Sequence, residues 1–153
     1  MVPKDRGAAL VEAQALLETT RAVEHPNCLF CGKENPIGFK LDFRVQAPGS
    51  VCASFPCGPL LQSYPATLHG GVTSALLDAA MTNCVFSLGV AAVTAELVVR
   101  YSCPVDVDCV AEVSAMVDDA LPPLYYLSAR LKQRGRVVAR GTAKFVERGW
   151  PAG

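Results

Sequence analysis

A chain of 153 residues, about half of them apolar, is the size of one compact domain and can build its own core. Fourteen basic side chains balance fourteen acidic ones, which argues against a chain built to bind nucleic acid or an anionic membrane surface. The N-terminal stretch MVPKDRGAALVEAQALLETT is broken by charge too often for a signal-peptide core, and nothing approaches the ~20 uninterrupted apolar residues of a spanning helix, so a soluble cytoplasmic protein is expected.

In chain order, residues 7 to 24 place Leu10, Ala13, Leu17 and Ala9, Leu16 at helical spacing before HPN ends the run, which predicts a surface helix. Residues 1–26 are read as this helix and its lead-in, and 27–153 as a single domain. Seven cysteines without a secretory signal argue against a disulfide framework. Cys28 and Cys31 have the two-residue gap of zinc sites, but Cys52 and Cys57 are wrongly spaced and no histidine follows at finger distance. The expectation is no metal, no cofactor and mostly buried free thiols. Around the turn APGS, Phe39, Leu41, Phe43 and Val45 alternate with polar neighbours and predict a hairpin.

From Gly70 to about Leu88 there is no proline, and apolar residues cover most of the helical circumference, which predicts a buried helix. Beyond Gly89, TAELVVRYSCP, VDCVAEVSAMV, LYYLSARLKQ and VVARGTAKFV read as four consecutive strands of an antiparallel meander. Gly135 is placed for the tight turn in LKQRGRV. The predicted class is α+β: one long central helix wrapped by an antiparallel sheet of five to six strands, with an extra N-terminal helix.

Between Val45 and Ala95 the only full charge is Asp78. Ser74, Asp78 and Thr82 recur at four-residue steps and make one polar stripe on the central helix. A solvated face would carry several Lys or Glu, so a lined cavity is the favoured reading, with a solvated stripe as the alternative. His69, Gly70 and Gly71 stand where the helix begins, and glycine there leaves backbone N–H groups open to an incoming oxygen. Asp78 follows His69 by nine residues, half a turn out of phase at ~100° per residue. If both serve one site, a second copy of the chain must supply one of them, which predicts a dimer. Between Ala120 and Trp150, seven Lys or Arg face only Glu147; a phosphate-binding surplus and solvated strand faces both fit.

The run QSYPATLHGGVTSALLDAAM, then VTAELVVRYSCPV, with CLFCGKENPIGFKLDF upstream, resembles the hot-dog fold acyl-CoA thioesterases of the phenylacetic-acid-degradation type over about residues 27 to 147. The resemblance implies hydrolysis of a thioester to a carboxylic acid and free coenzyme A at a dimer interface, in a homodimer or a homotetrameric dimer of dimers. It assigns the acid, base or nucleophile, to Asp78, the carbonyl-polarising amide to Gly70 and an orienting role to His69. Thr94 matches a hydroxyl position near the reacting centre, Gly71 belongs to the same substrate-binding turn, and Gln62 fits a loop glutamine. Where relatives carry asparagine six residues before the histidine this chain has Ser63, so water positioning falls to Gln62 or Ser63. Where the subgroup often reads LLDE, Ala79 follows Asp78. A non-hydrolysing acyl-CoA binder is the alternative; a dehydratase of the same fold is disfavoured by the HGG and LLD spacing.

Overall fold

The computed structural model describes residues 5–149. The order is α1 (Asp5–Glu24), β1 (Arg44–Ala47), β2 (Ser50–Pro56), a 3-10 turn at Pro59–Leu61, α2 (Gly70–Phe86), β3 (Ala92–Tyr101), β4 (Val110–Leu121), β5 (Leu124–Gln133) and β6 (Arg136–Glu147). All six strands form one antiparallel sheet ordered β1-β2-β4-β5-β6-β3. No helix among the described residues is long and apolar enough to cross a membrane.

The sheet wraps α2 because α2 is apolar nearly all round. Leu76, Leu77, Ala80, Met81, Cys84 and Val85 are buried in it against Ala111, Val113, Leu127, Leu131 and Phe145 of the strands. A helix hydrophobic on every side is stable only when surrounded. Small residues bring the layers close: a Cβ added to Gly141 of β6 would stand 3.4 Å from Leu77 Cδ1, at van der Waals contact.

α1 buries Ala13, Leu17 and Arg21, a stripe at four-residue steps. The expected Leu16 lies on the outer side, 39% exposed, because the inward stripe runs through Leu17. Gln14 extends the α1 contact to the edge strand: its Oε1 accepts from Val45 N at 2.8 Å and its Nε2 donates to Phe43 O at 3.2 Å. The turns follow sequence grammar. Gly49 and Gly135 take positive φ of 75° and 77° in the β1–β2 and β5–β6 hairpins, a region where glycine carries no Cβ penalty.

The predicted meander is broken at its first link. β4, β5 and β6 pair consecutively, but β3 pairs with β6 at the far edge. A strand has two edges, and those of β4 are taken by β2 and β5. The crossover from β3 to β4 is clamped by Gln133, 5% exposed, whose Oε1 accepts from Asp106 N while its Nε2 donates to Asp106 O and Cys109 O.

Candidate active site

Strand parity decides which β3 side chains face α2. Tyr101, Val99 and Leu97 pair with Ala139, Gly141 and Ala143 of β6, whose neighbours in the core set the inner face. Continuing that alternation would turn Thr94 outward. A bulge between Thr94 and Glu96 resets the register, so that Thr94 pairs with the fully buried Phe145 and points to the helix, as the extra residue of a bulge re-aims its neighbours. There the Thr94 hydroxyl donates to Asp78 Oδ1 at 2.6 Å.

Burial raises the Asp78 pKa above the ordinary carboxylate value; the Thr94 hydrogen bond and the charge of His25 pull it back, and Cys28 adds to the rise. A half-buried carboxyl held by one short hydrogen bond and raised above its ordinary pKa is a stronger base than a free carboxylate. Its stripe neighbours are committed elsewhere. Thr82 is buried and bonds back to Asp78 O at 2.9 Å. Ser74 Oγ lies 2.6 Å from Tyr101 OH, whose single proton goes to Gly70 O at 2.8 Å, which makes Ser74 the donor. Of the stripe, only Asp78 keeps its functional group for chemistry. Ala79, the departure after Asp78, is buried at 8% exposure.

The helix start has its own geometry. His69 is the N-cap of α2 and its Nδ1 accepts from Gly71 N at 2.9 Å, so the neutral ring carries its proton on Nε2. The Gly71 amide is therefore engaged. The Gly70 N–H donates to no group among the described residues. Beside it lies a depression of about 350 Å³ lined by Ser63, Gly70, Thr73, Tyr101 and Val105, among others; Asp78 is not part of it. Gln62 Oε1 accepts from Ala66 N at 3.2 Å and ties its own loop together. Within one chain the predicted residues thus fall into two groups, Asp78 with Thr94 and Gly70 with His69, Gly71 and Ser63, with Gly70 and Asp78 about 12 Å apart along the helix axis by rise alone.

Sequence reasoning missed Tyr101, which locks the Gly70 carbonyl, and the Ala95 bulge that aims Thr94. The basic surplus is mostly spent or turned away. Arg134, Lys144 and Arg148 pair with Asp106, Glu96 and Glu24. Arg130 and Arg140 are cross-strand partners, as are Arg140 and Arg100, and this row lies on the convex face, across the sheet from Asp78.

The PaaI protein of the E. coli phenylacetic acid degradation operon matches with a TM-score of 0.78, covering 92% of this chain and 96% of its own, at 16% identity. The chain has the hot-dog fold. A hypothetical thioesterase protein from Streptococcus pneumoniae with coenzyme A matches with a TM-score of 0.67 at 19% identity, covering 73% of this chain and 88% of its own. A Streptococcus mutans protein bound to acetyl CoA has the same TM-score at 17% identity, covering 71% and 89%. Two further structures of the S. pneumoniae protein carry alanine in place of an aspartate and of a threonine, the two positions sixteen residues apart. At these identities the likeness extends to the hot-dog fold. The thioesterase superfamily model matches residues 66–120, from the loop before α2 into β4, so the resemblance read from HGG, LLD and VTAEL holds. No curated relative matches the chain.

Proposed function

We propose that the protein hydrolyses acyl-CoA thioesters, with Asp78 as base or nucleophile and the Gly70 amide as oxyanion donor. The observation that carries this reading is the hydrogen bond from Thr94 to Asp78, made by the one charged residue of a fifty-residue neutral stretch. Asp78 and Thr94 are sixteen positions apart, the same separation as the aspartate and threonine replaced in the streptococcal thioesterase.

Attack on the thioester carbonyl moves negative charge onto its oxygen, and a fixed amide at a helix N-terminus stabilises that charge. Gly70 supplies the amide, and the His69 carbonyl in the same peptide plane accepts from Val72 N at 2.9 Å and Thr73 N at 3.2 Å, so that plane is fixed before substrate arrives. Asp78 either takes a proton from the attacking water or attacks the carbonyl to give an anhydride that water then cleaves. Both routes release a carboxylic acid and the coenzyme A thiol. Ser63, in the depression with Gly70, is better placed to hold water than Gln62. Val93 and Val98 of β3 are exposed, and among the described residues this ten-residue strand has one edge without a partner. A long apolar edge is a pairing surface, and we assign it to a second subunit that brings its Gly70 to Asp78 of the first, in a dimer or a dimer of dimers.

A thiol-release screen across short, long and aromatic acyl-CoAs tests the activity. At least one is expected to yield free coenzyme A; silence across the panel with binding retained overturns hydrolysis in favour of an acyl-CoA sensor. The acid limb of the pH profile is a second expectation. Asp78 works as carboxylate, so activity falls as pH drops through its raised pKa, above the ordinary carboxylate range. Thr94→Val removes a hydrogen bond that favours the charged form, which moves that limb to still higher pH; a limb that stays in place would mean Asp78 is not the titrating group.

A further inference from the structure

The loop after α1 gathers groups that the hydrolytic reading does not use. His25, Cys28 and Cys31 each offer one ligand atom, and the three atoms lie within 4.8 Å of one another. The sequence expectation of no metal looked for a histidine after the cysteine pair; the histidine precedes it by three residues. We propose that His25 Nδ1, Cys28 Sγ and Cys31 Sγ bind one zinc-class divalent ion that fastens the end of α1 to α2.

His25 Nδ1 is 3.6 Å from Cys31 Sγ. In a tetrahedral site with Zn–N near 2.05 Å and Zn–S near 2.3 Å the edge between such ligands is about 3.5 Å, so an ion fits without moving either group. The loop is wound tightly to keep the three together. His25 N donates to Arg21 O, Cys28 N to His25 O and Gly32 N to Cys28 O. A Cβ at Gly32 would fall 2.4 Å from Cys28 N and 2.6 Å from Pro26 O, so the turn closes only around glycine.

A second observation comes from α2. Asn83 is fully buried; its Nδ2 donates to Ala79 O at 2.8 Å, and its Oδ1 has no partner among the described residues. The same side chain lies beside Cys31. A buried amide oxygen without a partner is costly, and a metal ion, or a water bound to it, would satisfy that oxygen in the fourth position. Phe86, one turn further along α2, packs edge-on against the His25 ring with centroids 5.0 Å apart and fixes its orientation. Two thiolates neutralise a divalent ion, and thiolate with imidazole selects zinc over magnesium or calcium.

Protein purified under reducing conditions is expected to carry about one zinc per chain. Replacement by Co(II) is expected to give tetrahedral ligand-field bands with a thiolate-to-cobalt charge-transfer transition. Cys28→Ser with Cys31→Ser abolishes both, Cys52→Ser leaves both, and Asn83→Ala weakens affinity roughly 10–100-fold. A chelator lowers the Tm of the wild type and not of the double variant. The cobalt spectrum is read on the wild type, so the result survives a double variant that fails to fold. Substoichiometric zinc in reduced protein offered excess Zn(II), a cobalt spectrum without the thiolate transition, or zinc retained by a folded double variant overturns the site. None of these outcomes depends on thioester hydrolysis.

Discussion

Asp78→Asn is expected to lower kcat for thioester hydrolysis by about 10²–10⁴-fold, the range for loss of a positioned acid–base group, with acyl-CoA binding retained. The substitution is close to isosteric, and an amide oxygen still accepts the hydrogen bond that Thr94 now gives to Asp78 Oδ1, so helix and bulge keep their places. It also removes a carboxylate whose charged form burial disfavours, and the variant should therefore be no less stable than the parent near neutral pH. Thiol release and thermal melting on the same preparation separate the two effects. A variant that melts normally and retains full turnover would remove Asp78 from the chemistry.

The second large effect concerns a single backbone hydrogen. Gly70 occupies the first position of α2, where proline is tolerated because that N–H has no helical partner. His69 before it has φ −58° and ψ 130°, the conformation that a residue preceding proline prefers. A Cβ at Gly70 would meet the Tyr101 ring at 3.6 Å, an ordinary contact. Gly70→Pro therefore deletes the amide with little else disturbed, and kcat is expected to fall by about 10²–10³-fold. Gly70→Ala keeps the N–H and serves as the control, with turnover close to that of the parent. Equal losses in the two variants would assign the effect to crowding at the helix start and not to an oxyanion donor.

The central helix was legible because its signal is local: no proline, apolar residues on every side and a glycine pair to begin it. The hairpin at Gly135 was legible for the same reason. What escaped is what depends on partners distant in sequence. Nothing in VTAELVVRY says that this strand pairs with β6 and not with β4; that follows from β4 having both edges occupied. The bulge that turns Thr94 inward leaves no mark in the residues either, since a one-residue shift of parity is invisible without the partner strand. Asp78 stood out as a lone charge, whereas its hydroxyl neighbours Ser74 and Thr82 looked equivalent to one another and are not: one tethers Tyr101 and the other bonds its own helix. His25 reads in the sequence as the end of α1, whereas in the fold it also begins the cysteine loop.

Whether one site draws on two subunits is tested most directly by mixing chains. Asp78→Asn and Gly70→Pro, each nearly inactive alone, are unfolded and refolded together or coexpressed with distinguishable tags, and thiol release is measured on the mixture. Random pairing makes about half the dimers hybrid, and each hybrid holds one site with both changes and one with neither, so activity is predicted to return to about 25% of the parent. Hybrids isolated by their two tags and no more active than either variant would show that Asp78 and Gly70 act within the same chain, and the shared site would fall.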